Sequence, residues 1–359
     1  MEHRAYRRFL ILVVCVVTVG LGSLWAWAGI GRMWYMDPEY PIWLYKIQTA
    51  AGHCFGNTTV IVGDSRPMAD LIPEEIGPDV YNMAIGGATS IETYYALRKM
   101  LQCGKPPLTV ILSIAPSHMM TTEAYWSRTM PFGFLSFSEA QSVAAIARRD
   151  PQQKLYAISS LGIVDNTIAN TLVENYFPAY FWPAMVRGSL FMNKGRNLAF
   201  YEETARARGH HLFGTRGNVE LASPEAGLAA FRPLQTLDIY FVKTLDLLRD
   251  SGSSVVYIDM PISDITARGV SARFKAEYAA YIERRLKPYG NVRRVGEILP
   301  VLPASYFGDE AHLNATGALA WSRSVKPLLS ERSQLAVDAV GLRDGLAGLR
   351  PPAKAGEHD

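Results

Sequence analysis

Hydrophobic positions fall into three regimes along the chain. Residues 9–30 carry no charge. At ~1.5 Å rise per residue such a run spans ~33 Å as a helix, about the hydrocarbon thickness of a bilayer. From about residue 58, short apolar runs alternate with amphipathic stretches, the pattern of a parallel sheet covered by helices. "TTVIVG", "DVYNMAI" and "LTVILSIAP" read as the first three strands, and the spacing predicts a helix over Thr89–Leu101 that ends near Gly104. Alternation lapses across the aromatic-rich residues 117–232. It returns with a helix in "PLQTLDIYFVKTLDLLRDSG", a strand in "SVVYIDMPIS", a helix through "ARFKAEYAAYIERRLKPYG" and a last helix over about Asn314–Leu329. The organisation predicted is an α/β domain over 58–329 with an insert at 117–232. Residues 31–57 form a juxtamembrane segment and the polar residues 330–359 a flexible tail. Within the insert, "ENYFPAYFWPAM" suits a lid, an acceptor groove, a face on the membrane, or a helical insert packing its aromatics inward.

Charge refines the picture at the N-terminus. Arg4, Arg7 and Arg8 precede the apolar run, which favours a cytoplasmic tail over residues 1–8 and an extracytoplasmic, periplasmic domain after a single pass through the inner (cytoplasmic) membrane. Ala26-Trp27-Ala28 also fits a signal-peptide cleavage site, but the run exceeds a usual signal core, which favours an uncleaved signal-anchor. Overall, 36 Lys and Arg against 33 Asp and Glu give a net charge of +3 with no basic stripe, which excludes a nucleic-acid footprint. Of three cysteines, Cys15 lies in the anchor, and neither Cys54 nor Cys103 has CxxC or zinc-ligand spacing. His210 and His211 are adjacent and face different ways on regular structure. No metal or cofactor is expected.

Candidate chemistry gathers at strand ends. In "VIVGDSRPMAD" the first strand runs into Gly63, Asp64, Ser65 and Arg66 and then turns toward a helix. Ser65 there is either a nucleophile at the ligand-binding edge of a parallel sheet or the cap of the helix. "YFGDEAHLNATG" sets Asp309 three residues before His312, so that the carboxylate can hold the imidazole by Nδ1–H and leave the other nitrogen to take a proton from Ser65. Alternatively, the stretch is a polar turn before a helix capped by Asn314. In "NMAIGG", Gly86 and Gly87 follow the second strand, where backbone N–H groups can approach a carbonyl oxygen; a simple turn also explains two glycines.

Together "GDSR", "NMAIGG" and "DEAH" resemble the SGNH, or GDSL-like, hydrolase superfamily. The resemblance covers residues 58–329 apart from the insert, and implies a flavodoxin-like three-layer α/β/α fold. It further implies Ser65 as nucleophile, His312 as general base then acid, Asp309 as its orienter, and the N–H groups of Ser65 and Gly87 in an oxyanion hole. The family's third block offers an Asn side chain to that hole; here "LTVILSIAPSHMM" places Ser117 near that position, with Ser117 or His118 as a replacement donor. Arg66, Gly86 and His118 are candidate substrate contacts, Arg66 for an anionic group. With the anchor, these features resemble the envelope acyltransferase branch, which implies an acyl donor, a polysaccharide acceptor and a membrane-bound O-acyltransferase partner. An esterase or deacetylase with the same triad and a non-catalytic scaffold are the alternatives. In a flavodoxin-like order the first and third strands are neighbours, which predicts a Cys54–Cys103 disulfide, since each cysteine shortly precedes one of them.

Overall fold

The computed structural model describes residues 2–31, 37–122, 124–149, 192–214, 217 and 219–330. The expected tail and "ENYFPAYFWPAM" therefore lie outside the described residues. Helix α1 (Glu2–Gly31) contains the stretch His3–Leu24, long and apolar enough to cross a membrane, and none of that stretch is buried by the rest of the protein.

Five parallel strands form the central sheet: β1 (Thr59–Gly63), β2 (Val80–Asn82), β3 (Thr109–Ser113), β4 (Ser254–Ile258) and, after the short β5 (Ile262–Ser263), β6 (Val292–Val295). Their order is β2-β1-β3-β4-β6. β1 is thus the switch point, with β2 on one side and β3 on the other, and open parallel sheets bind ligands outside the strand ends at such a point. β1 and β3 pair in register from Thr59↔Thr109 to Gly63↔Ser113. A small parallel ribbon joins β5 to β7 (Val301–Leu302).

Both faces of the central strands β1, β3 and β4 are buried, which explains why their runs are apolar on both sides. Val60, Val62, Val110, Leu112, Val255 and Tyr257 point into one core, and Ile61, Ile111, Val256 and Ile258 into the other. The first core is covered by α2 (Tyr40–Gly52), α5 (Ser90–Met100), α8 (Gln235–Ser251) and α10 (Ala272–Leu286). On the second lie α3 (Ser65–Asp70), α4 (Pro73–Ile76) and α11 (Ala315–Ser330). The remaining described helices are α6 (Phe137–Ala147), α7 (Met192–Arg206) and α9 (Asp264–Gly269). α5 opens on a capping box in which Thr89 and Glu92 satisfy each other's backbone donors.

One boundary differs from the sequence reading. The juxtamembrane segment 31–57 contains α2, whose Tyr40, Trp43 and Leu44 are buried in the first core, so α2 belongs to the domain. Pro41 at its first turn starts the helix where the missing N–H costs nothing.

Candidate active site

Ser65 owes its position to three local features. Gly63 ends β1 at φ +141°, and a Cβ there would stand 1.6 Å from the Ser113 carbonyl oxygen, so only glycine lets β1 pass β3 this closely. Asp64 then caps α3 by accepting from the Arg66 N–H at 2.9 Å. Ser65 is therefore the first helical residue and not the cap, and its hydroxyl is not required by the helix start. A six-residue helix has little stability of its own. α3 is held by Asn82 Nδ2, which donates to the Pro67 and Leu71 carbonyls at 2.7 and 3.0 Å, and by His210 Nε2–H, which donates to the Ala69 carbonyl at 2.8 Å.

Beneath the elbow lies a buried polar network. Arg66 and Glu225 are both buried and pair at 2.6 Å; Ser117 Oγ donates to Glu225 Oε1 at 2.7 Å and Ser223 Oγ to Oε2 at 2.6 Å. Burial alone would raise the Glu225 carboxyl, but Arg66 and the two hydroxyls hold it down at about 2. Asp64 accepts from the Ala115 N–H at 2.6 Å and lies 3.2 Å from His118 Nδ1. Burial opposes both charges of that pair, yet their attraction lowers Asp64 and raises His118. Two expectations change accordingly. Arg66 faces inward to Glu225 and not toward an anionic substrate, and Ser117 directs its proton to Glu225 and not to an oxyanion.

The base side comes from the chain segment just before α11. Asp309 Oδ1 accepts from the Ala311 and His312 N–H groups at 2.9 and 2.8 Å, a tight Asx turn that brings the imidazole back over the carboxylate. His312 Nδ1 lies 2.9 and 2.8 Å from Asp309 Oδ1 and Oδ2. Desolvation opposes ionisation of Asp309, but His312 and the two N–H groups outweigh it and keep the carboxyl below its usual range. Because the carboxylate takes the Nδ1 proton, Nε2 is the basic nitrogen; it is buried and has no hydrogen-bond partner, Ser65 included. Asn314 caps α11 through the Gly317 N–H at 3.0 Å, so the segment is both a helix entry and an Asp–His pair.

Several contacts bring the two sides to one sheet edge. The Leu313 N–H, next to His312, donates to Asp70 of α3 at 2.9 Å. The Ile85 N–H donates to the Gly63 carbonyl at 3.0 Å, which lays Gly86 and Gly87 beside the elbow. A Cβ on Gly86 would meet Phe213 Cζ at 3.1 Å and Met68 Cε at 3.4 Å, and the Phe213 ring lies 4.5 Å, centroid to centroid, from the His312 ring. Gly87 has φ +74°. Sequence reasoning missed Phe213 and Glu225, neither of which sits in a short motif.

The expected Cys54–Cys103 disulfide is not formed. Both residues are exposed free thiols, Cys103 Sγ donates to the Lys105 carbonyl at 3.7 Å, and the interaction between the two thiols raises that of Cys54 and lowers that of Cys103. Of the adjacent histidines, burial pushes both His210 and His211 down to about 4. No protein-family model matches this chain, and no curated protein matches it.

Proposed function

We propose that the chain is a membrane-anchored, SGNH-type serine acyltransferase acting on the extracytoplasmic face. It moves an acyl group, acetyl in the simplest case, through acyl-Ser65 to a hydroxyl of an envelope or secreted polysaccharide. The observation that carries the reading is the Asp309–His312 pair, with its second ring nitrogen buried and unpartnered at the sheet edge that holds the Ser65 elbow. A serine hydroxyl is a weak nucleophile and needs such an oriented base.

In this mechanism Ser65 Oγ adds to the acyl carbonyl carbon while its proton passes to His312 Nε2. The carbonyl electron pair moves onto oxygen, where the Gly87 and Ser65 N–H groups receive the charge. Collapse breaks the bond to the donor's leaving oxygen, which takes the proton from Nε2. The acceptor hydroxyl then gives its proton to Nε2 and attacks acyl-Ser65, and Oγ leaves with that proton. Asp309 keeps Nδ1 protonated and stabilises the imidazolium in both halves. Arg4, Arg7 and Arg8 before the apolar helix support a cytoplasmic N-terminus, and an anchored site near the membrane suits a membrane-bound O-acyltransferase as acyl source.

The test uses the full chain in detergent. A fluorophosphonate probe should label the wild type and miss Ser65→Ala and His312→Ala, and equal labelling of Ser65→Ala would remove the triad. Added acceptor oligosaccharide should then raise turnover of an activated acetyl ester and yield O-acylated sugar by mass spectrometry. Acyl groups going only to water, with pre-acylated polysaccharide stripped, would make the protein an esterase.

A further inference from the structure

An oxyanion next to Gly87 needs more than backbone donors if Ser117 and His118 are directed elsewhere. Ser117 Oγ donates to Glu225, and His118 Nδ1 faces the buried Asp64. Across Gly87 stands a different donor. A Cβ placed on Gly87 would lie 3.0 Å from Arg128 Nη1 and 3.0 Å from the Ala124 methyl, so this glycine leaves room for a guanidinium at the strand-end backbone. Arg128 sits in a single π-helical turn, Tyr125–Thr129, a geometry that recurs at functional sites. That turn is pinned to the Gly87 loop: Thr129 Oγ1 donates to Glu92 Oε1 at 2.6 Å, and Glu92 Oε2 accepts from the N–H and hydroxyl of Thr89, two residues after Gly87.

The guanidinium is also aimed. Arg128 Nη2 donates to Glu39 Oε1 at 2.8 Å, with both side chains about one-third exposed at the rim. Glu39 lies within electrostatic reach of His312, and Arg128 Nη1 lies on the Gly87 side. Glu39 occupies one arm of the fork and leaves the other on the Gly87 side. Arginine presents five donors in a fixed plane and stays charged, which suits it to a charge that exists only in the transition state.

We propose that Arg128 is a catalytic residue, its Nη1 donating beside the Gly87 N–H to the oxyanion formed when Ser65 adds to an acyl carbonyl, with Glu39 as its positioning residue. The inference rests on the acyl-Ser65 mechanism above. It is tested with the full chain in detergent, an activated acetyl ester, and a trifluoromethyl ketone that adds reversibly to a serine hydroxyl. Arg128→Met should lower kcat by ~10²- to 10³-fold with little change in KM, and weaken the trifluoromethyl ketone by a similar factor. Arg128→Lys, which keeps the charge but not the fork, should lose about 10-fold in both readouts, and it decides the matter if the Met variant does not fold. Wild-type kcat in either folded variant overturns the inference, as does a fall in kcat with unchanged inhibitor affinity. Ser65→Ala separates the two levels: if it still turns over ester, the acyl-Ser65 mechanism falls and the role of Arg128 with it. If it is inactive, the Arg128 variants speak for Arg128 alone.

Discussion

The Ser65 side and the His312 side of the candidate site are built on opposite electrostatic plans. Under Ser65, the charges of Asp64, Arg66 and Glu225 are buried and paired, tied further by Ser117, Ser223 and the Ala115 N–H. Around His312, by contrast, Asp309, Glu39 and Arg128 are partly exposed, and the Nε2 atom itself has no partner. Buried ion pairs fix geometry, because every displacement leaves a desolvated charge. Partly exposed groups with one open valence are suited to meet something that arrives. In the proposed mechanism this separates holding the nucleophile from handling protons and developing charge.

Two substitutions break that comparison most strongly. Ser65→Ala should cost ~10⁴-fold or more in ester turnover, since a triad acts as a unit, while leaving the melting temperature nearly unchanged because Asp64 and not Ser65 caps α3. Glu225→Ala should act in reverse order. It leaves Arg66 buried without its partner and should destabilise the folded chain by ~3 to 5 kcal/mol in denaturant titration, with activity lost only as the elbow loosens. A Glu225→Ala protein as stable as the wild type would show that the buried pair does not hold the elbow.

The reach of the sequence follows the same division. Elements coded by neighbours in the chain were legible: the β1 run into Gly63 and Ser65, the helix opened by Thr89 and Glu92, and the Asp309–His312 spacing. Contacts between distant residues were not. Arg66 finds Glu225 at a separation of 159 positions, and no local pattern around either residue announces it. β6 escaped notice because "VRRV" carries two arginines on an edge strand, where charge is tolerated and alternation is weak. α2 lies in the segment that follows the apolar run and reads as juxtamembrane, whereas Trp43 and Tyr40 pack into the core. Arg128 lies in a π turn, whose period matches neither a helix nor a strand pattern.

A third prediction concerns acid. His210 and His211 hold the outer side of α3, the first through the Ala69 carbonyl and the second through its own N–H on the Met68 carbonyl at 3.3 Å. Both sit at about 4 in the folded chain against 6.5 when free, chiefly through burial. The unfolded chain therefore takes up these protons first as pH falls. Stability conferred by the neutral rings is complete above 6.5 and declines toward 4. Asp259, raised from 3.8 to about 6 mainly by burial, opposes this, because the folded chain gains its proton between about 6 and 3.8. Asp70, raised well above 3.8 by burial, opposes it too, so the histidine contribution is the difference between the wild type and His210→Phe, at most about 1.4 kcal/mol per pH unit for that ring. Denaturant midpoints measured from pH 7 to 4 should fall more, or rise less, in the wild type than in His210→Phe. Parallel profiles would mean that the His210 ring is protonated in the folded state.

The smallest effect sharpens the comparison most, because it separates two roles for one hydroxyl. Ser117 stands near the end of β3, where a donor to the oxyanion would be useful, but its proton points to Glu225 at 2.7 Å. If Ser117 belongs to the buried plan, Ser117→Ala removes one hydrogen bond from a charged carboxylate that keeps Arg66 and Ser223, and should cost ~1.5 to 3 kcal/mol of stability. The chemistry should then change little, with kcat within ~3-fold of wild type at a temperature where the variant is folded. If Ser117 instead serves the oxyanion, the loss reverses: stability holds and kcat falls ~10²-fold or more, as when a hydrolase loses such a donor. Paired measurement of melting and ester turnover on Ser117→Ala and Arg128→Lys therefore assigns the missing donor. The expected pattern is a stability loss for the first and a rate loss for the second, and the opposite pattern would place the oxyanion donor on the interior side of the elbow.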